Sequence, residues 1–198
     1  MSDTGPPSDA QMVLDFWFGA PGSAVFGSAR REWFAKDEAF DALIRERFGA
    51  AIERALRGEL EAWAEAAPSA LAQILLLDQL TRNAFRGTAR AFAGDARALA
   101  AASRMVGSRQ DESLAPFMRG FVYLPFEHAE SMAMQDEAVR LFARLAAEAP
   151  EQADMLEYAH RHRSVIERFG RFPHRNDILG RRSTAEEIAF IAQPGSGF

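Results

Sequence analysis

The sequence predicts an all-α protein of seven to nine helices, and three observations support that fold class. Apolar residues recur at spacings of three and four, the period of an amphipathic helix. Glycine and proline interrupt these stretches where helices would begin or end. The sequence contains no run of alternating β-branched residues, the pattern that would indicate a strand. The chain has 198 residues, 48% of them hydrophobic, which suits one domain with a full core.

The first half of the chain contains four expected helices. Residues 1–8 are rich in serine, glycine and proline and predict a disordered N-terminus. Asp37 is the expected N-cap of the second helix, and Gly58 is its natural break. The third helix is apolar on nearly all sides, so we expect it inside the protein. The four helices are expected at residues 9–18, 37–57, 68–85 and 95–107.

The second half contains three further long helices and a short last one. Pro125 is expected to separate the first two of them, because proline disrupts a helix interior. The stretch from Ser183 to Glu187 is a capping box in either of two registers and begins the short helix. Short connections imply antiparallel helix pairs, and residues 9–198 are expected to form a single domain. The long helices are expected at residues 112–124, 126–147 and 150–169, followed by a non-helical segment 171–182.

Composition and charge exclude several classes of protein. The chain has no cysteine, which excludes disulfide scaffolds, zinc–thiolate sites and cysteine nucleophiles. Its net charge of −5 argues against a nucleic-acid partner. No apolar run approaches the roughly 20 residues that span a bilayer, and no signal peptide is visible. We therefore expect a soluble cytoplasmic protein with no membrane partner, and the sequence indicates neither a cofactor nor a metal.

Four polar residues lie on the most hydrophobic predicted helix. Asp78 and Arg82 are four residues apart with the acid first, which is the favourable orientation for an ion pair. Gln79 and Asn83 form a second pair at the same spacing. A buried polar group needs a partner, since an unpaired one costs about 1–3 kcal/mol. The four residues are either a network that ties this helix to a neighbour or the wall of a polar pocket.

A second polar group follows Pro125. If Pro125 starts a helix, Glu127, His128 and Glu130 lie in its first turns, where carboxylates interact well with the helix dipole. Glu127 and Glu130 are three residues apart and share a face. A histidine beside two carboxylates can be a general base or a metal ligand. Ordinary capping of a helix N-terminus explains the same residues without any chemistry.

The third polar group lies in residues 169–176, where basic and aromatic residues alternate. An extended chain would send alternate side chains to opposite sides, so that Arg171 and Arg175 face a cleft while aromatic residues anchor in the core. Arginine binds carboxylate or phosphate groups in a bidentate manner. The segment, which also contains His174 and Asn176, is either part of a site or a structural clamp.

The chain lacks the phosphate-binding, zincin and nucleophile-elbow motifs. Taken with the N-terminal residues 13–19, the three polar groups resemble the bacterial family called domain of unknown function 924. The resemblance spans about residues 11–192 and implies an all-helical fold like that of the tetratricopeptide-repeat superfamily. It implies no reaction. Its matching blocks are residues 76–83, 123–130 and 169–176, and the capping box also fits.

The first function that stays open is a binding module for an anionic small molecule or a peptide. Its concave face would lie between packed helix pairs. Hydrogen-bond donors would come from Arg82, Asn83, Arg171 and Arg175, and apolar contacts from Trp17, Trp33, Phe126 and Phe172.

The alternative is a small-molecule enzyme. His128 or His174 would move protons, an acidic residue (Asp78, Glu127 or Glu130) would orient the histidine, and two arginines would hold an anionic substrate. Both functions predict that Arg82, Glu127 and Arg175 lie within reach of one another.

Overall fold

The computed structural model describes residues 8–193, and these form eight helices with no strand among them. The all-α prediction is therefore confirmed. The helices are α1 (Asp9–Phe18), α2 (Glu38–Arg57), α3 (Ala67–Leu75, continued by a π-helical turn at Leu76–Leu80 and a last turn at Thr81–Ala84), α4 (Asp95–Gly107), α5 (Pro116–Glu127), α6 (Met132–Glu148), α7 (Ala153–Phe169) and α8 (Ala185–Ile191).

The first two helices begin where their capping residues predict. The hydroxyl of Ser8 accepts a hydrogen bond from the backbone N–H of Gln11 at 3.2 Å and caps α1. The carboxylate of Asp37 caps α2 by accepting from the backbone N–H groups of Ala39 and Phe40. The rest of the predicted disordered N-terminus, residues 1–7, lies outside the described residues.

Helix α3 is the centre of the fold, as its apolar sequence predicts. Every residue from Ala70 to Thr81 is buried, and the helix packs against α1, α2, α4 and α5. In its π-helical turn the carbonyl of Leu76 accepts from the backbone N–H of Thr81, five residues later, and also from the hydroxyl of Thr81 at 2.7 Å. Such turns are frequent at functional sites, and this one contains Asp78.

The predicted helix break at Pro125 is wrong. Helix α5 continues through Pro125 to Glu127, and the N–H of His128 still closes the last turn on the carbonyl of Leu124 at 2.9 Å. Proline costs the helix one hydrogen bond, but residues 119–127 are all buried and their packing keeps the segment helical. The next helix begins at Met132, so the expected helix 126–147 starts six residues too early.

The C-terminal part departs from the sequence prediction at one point. Gly170, at φ +69°, ends α7 as expected. The segment after it is not an extended alternating strand, because Pro173–Arg175 forms a short 3₁₀ turn that buries Arg175. The capping box is confirmed in the register Thr184–Glu187.

Helix α6 packs extensively against α5 and α7, while α3 contacts four helices. A solenoid repeat contacts its neighbours alone, and the tetratricopeptide-repeat-like superhelix stays a prediction. Within residues 8–193, each helix is too short or too polar to cross a membrane.

Candidate functional site

The three polar groups of the sequence meet at one cleft of about 610 Å³. It lies between the C-terminal half of α3, the end of α5, one face of α7 and the turn that follows α7. Arg82, Glu127 and Arg175 all line it, so the predicted convergence is observed. The volume falls in the range of about 300–1,000 Å³ that is typical of small-molecule sites.

Asp78 is a buried hub behind the lining of the cleft. One carboxylate oxygen lies 2.7 Å from Nδ1 of His128 and 2.9 Å from a guanidinium nitrogen of Arg82. The other oxygen accepts from the amide of Gln79 at 2.6 Å. Burial opposes the charge of Asp78, but Arg82 and His128 outweigh it and hold the pKa of this carboxyl well below its usual range. Asp78 is therefore ionised at neutral pH.

Two arginines of the cleft share the carboxylate of Asp95. Arg82 forms a bidentate pair with Asp95 at 2.8 and 3.1 Å, and Arg175 reaches the same carboxylate at 3.3 Å. The guanidinium of Arg175 lies 4.7 Å from the ring centre of Phe92 and 4.5 Å from that of Phe172. Burial and the charge of Arg82 lower the pKa of Arg175 to about 10, so the group stays cationic at neutral pH.

Glu127 is a buried carboxyl at the C-terminal end of α5, where the helix dipole disfavours a negative charge. This position corrects the predicted one, in the first turn of a helix. Burial and the nearby charge of Asp78 raise the pKa of Glu127 to about 8. Its Oε1 lies 3.1 Å from Nδ1 of His162, and Oε2 has no hydrogen-bond partner among residues 8–193. Glu127 is therefore protonated at neutral pH.

The three histidines of the cleft are neutral at pH 7. Burial and the charge of Arg82 lower the pKa of His128 below its ordinary value. Burial and His128 lower the pKa of His162 to about 3, and burial and Arg175 lower that of His174 to about 4. The cleft thus combines charged arginines with uncharged imidazoles that can accept protons.

The apolar wall of the cleft comes from Trp33, Phe34, Phe92, Leu124, Met155 and Tyr158. The indole N–H of Trp33 donates to the carbonyl of Trp17 at 2.9 Å, which fixes the loop between α1 and α2 against α1. Of the predicted apolar contacts, Trp33 lines the cleft. Trp17, Phe126 and Phe172 do not line it, because they are buried in the core.

Some predicted site residues line the cleft and others hold the scaffold. Gln79, Asn83 and His174 line it, and Asn83 also donates to Asp41 at 2.8 Å. Asp78 lies behind the lining, and Glu130, Arg171 and Asn176 are also absent from it.

Those three residues fix the C-terminal segment instead. Glu130 accepts from the backbone N–H of Phe172 at 2.8 Å and pairs with Arg181, while Arg171 pairs with Glu187. Asn176 donates to Ser183 at 3.0 Å. Sequence reasoning treated them as ligand-binding candidates; these contacts give each of them a structural role, and their role in ligand binding stays a prediction.

Sequence reasoning missed His162, Asp95 and Phe92. His162 lies three residues after the buried Ala159, on the apolar stripe of α7. A histidine in an apolar stripe could have identified His162 as a candidate site residue. Asp95 was interpreted as a helix start alone. Nothing local in the sequence relates Asp95 or Phe92 to Arg175, which is 80 residues away from Asp95 along the chain.

The described residues form a helical protein with a polar cleft, and similarity assigns the chain to a family. The chain belongs to the DUF924 family of bacterial proteins of unknown function, whose model matches residues 13–195. It is similar to a solved structure of a protein of unknown function from Agrobacterium tumefaciens, with 42% sequence identity and a TM-score of 0.81. The match covers 92% of this chain and 96% of that one. No curated protein matches the chain.

Proposed function

We propose that the cleft binds a small organic anion whose remaining part is apolar or aromatic. The observation that carries this proposal is the incomplete pairing of Arg175. Arg175 is 6% exposed, yet its one ion pair within the described part of the chain is the 3.3 Å contact with Asp95. Within residues 8–193, its Nε has no hydrogen-bond partner. A buried cation needs anionic partners, and a ligand carboxylate or phosphate supplies one.

The apolar wall supports the second half of the proposal. Phe34 and Tyr158 line the cleft although they are 69% and 53% exposed, so large ring surfaces face solvent at its mouth. An aromatic or aliphatic ligand body would cover them and gain hydrophobic stabilisation. The volume of the cleft favours a small molecule over an extended peptide.

The test is a thermal-shift screen of phenyl-substituted carboxylates, phenyl phosphates and short acidic peptides. Ligand at 100 times Kd adds about 2.7 kcal/mol, which raises Tm by several degrees. We expect carboxylates or phosphates to bind, and Arg175→Gln to weaken them at least tenfold in calorimetry. Arg140→Gln, which changes an exposed arginine on α6 outside the lining of the cleft, is the matched control and keeps the wild-type affinity. A screen without hits, or equal affinity in Arg175→Gln, refutes the proposal.

The contact between Asp78 and His128 favours a second candidate function, acid–base catalysis on the bound anion. A buried carboxylate that fixes one imidazole nitrogen leaves the other as a proton acceptor. The pair is separated by 2.7 Å and His128 lines the cleft.

A further inference from the structure

We propose that Glu127 and His128 form an acid–base pair that moves a proton between carbon and oxygen of an oxo-acid anion bound in the cleft. The proposal rests on the anion-binding function above and adds the substrate class and the roles of two residues. It depends on the geometry around each residue.

His128 is arranged as the base. Because Asp78 is an ionised acceptor, Nδ1 of His128 carries the hydrogen and donates it at 2.7 Å. The carboxylate of Asp78 is also held by Arg82 at 2.9 Å, so the orientation of this carboxylate is fixed. This leaves the lone pair on Nε2 of an imidazole that lines the cleft. Asp78 acts through His128 and is a positioning residue.

Glu127 is arranged as the acid. Nδ1 of His162 donates to the carbonyl of Tyr158 at 2.9 Å and lies 3.1 Å from Oε1 of Glu127, so Oε1 is on the accepting side of this contact. The proton of the neutral carboxyl then resides on Oε2, the oxygen without a partner among the described residues. A carboxylic acid kept neutral by burial can donate a hydrogen bond to a carbonyl oxygen as negative charge develops there.

An oxo acid combines the three features that these groups require. Its carboxylate suits Arg82 and Arg175, its carbonyl oxygen suits the neutral acid Glu127, and its adjacent C–H bond suits the base His128. Nε2 of His128 takes the proton of that C–H bond, and the bonding electrons form a carbon–carbon double bond. The carbonyl π electrons move to oxygen, which takes the proton of Glu127. The product is the enol, and no oxidant or reductant is needed.

The test is deuterium exchange followed by proton NMR, with the full chain and 2-oxo-4-phenylbutyrate as the probe. This compound carries a carboxylate, a ketone and an aromatic body. In D₂O, reversible enolisation replaces the methylene hydrogens next to the ketone by deuterium. We expect the methylene signal to disappear at least about 100-fold faster than in buffer, the lower end of acid–base contributions. The rate falls above pH 8, where Glu127 loses its proton.

Four variants separate the roles. His128→Gln and Glu127→Gln each lower the exchange rate about 100-fold while saturation-transfer NMR still detects bound probe. His160→Gln, which changes an exposed histidine on α7, keeps the wild-type rate. For Asp78→Asn, nitrogen NMR of the imidazoles shows loss of the Nδ1–H tautomer of His128 if the positioning role is correct.

The outcomes distinguish the two proposals. Bound probe with methylene exchange no faster than in buffer overturns the acid–base inference and leaves anion binding intact. Exchange that survives in both His128→Gln and Glu127→Gln overturns the assignment of roles. A probe that does not bind overturns this substrate class, and the carboxylate and phosphate screen then decides whether the cleft binds any anion.

Discussion

The protonated state of Glu127 makes a quantitative prediction about stability. The pKa of Glu127 is about 8 in the folded protein, against an ordinary value of 4.5 for an unfolded chain. In the window between these values the folded protein holds a proton that the unfolded chain has released, so stability falls as pH rises. Integrating from pH 5 to pH 8 gives a loss of about 3.5 kcal/mol from this group. Below pH 4.5 both states are protonated and the effect disappears.

Comparison with Glu127→Gln isolates this effect, because glutamine cannot titrate and other groups cancel. Urea unfolding followed by tryptophan fluorescence at pH 5, 6, 7 and 8 gives the free energy of unfolding of each protein. We expect the wild type to lose about 3.5 kcal/mol relative to Glu127→Gln across this range. Glu157→Gln, which changes an exposed glutamate on α7, is the control and keeps a constant difference from the wild type.

A constant difference between the wild type and Glu127→Gln would refute the reasoning. Glu127 would then be ionised in the folded protein, and its role as an acid would fail together with the stability prediction. A difference that grows in the opposite direction would place a cationic partner beside the carboxylate, in conflict with the contacts of Glu127.

Three further substitutions test the scaffold around the cleft. In Gly94→Ala the new Cβ would lie 2.1 Å from the carbonyl oxygen of Leu77, so we expect the free energy of unfolding to fall by about 1–3 kcal/mol. The control Gly107→Ala places its Cβ in open space, and its free energy of unfolding stays within about 0.5 kcal/mol of the wild type. Equal stability of the two variants would contradict the close approach at Gly94. Thr184→Ala removes the cap of α8 and costs about 1 kcal/mol, and unchanged proteolysis of the C-terminal segment would contradict this. Asp78→Ala removes the carboxylate partner of His128 and one of the two carboxylates paired with Arg82, and it costs about 3–5 kcal/mol in urea unfolding. A loss below about 1 kcal/mol would show that Asp78 is not needed for folding.

Local signals in the sequence were sufficient for most of the helices. The ends of α1, α2 and α7 follow from Gly19, Gly58 and Gly170, each with positive φ, and from the apolar period between the caps. These are effects of neighbouring residues along the chain, so a single sequence contains them. The polar residues of α3 were likewise recognised as members of a site or network because they interrupt an apolar helix.

The error at Pro125 has a different origin. A proline in a helix costs a hydrogen bond, and this local rule predicts a break. The rule fails here because the residues on both sides of Pro125 are buried against α3 and α6. The packing energy of this part of α5 exceeds the cost of the hydrogen bond that proline removes. Tertiary burial of this kind cannot be measured from the spacing of residues. The error moved Glu127 from the favourable to the unfavourable end of a helix dipole, and thereby concealed its raised pKa.

The composition of the cleft is difficult to explain as scaffold alone. Buried ion pairs can often be replaced by apolar residues of similar volume without loss of stability, so a protein that needed only to pack α5 against α7 would gain from a leucine or methionine at Glu127. Instead, a carboxyl with an oxygen that has no hydrogen-bond partner among residues 8–193 lies at a helix C-terminus, near the buried Asp78. Arg175 is also costly, because it is buried with a single 3.3 Å ion pair among residues 8–193, although contacts with two aromatic rings offset part of that cost. Two destabilising choices that line one cleft are expected where a ligand completes the pairing.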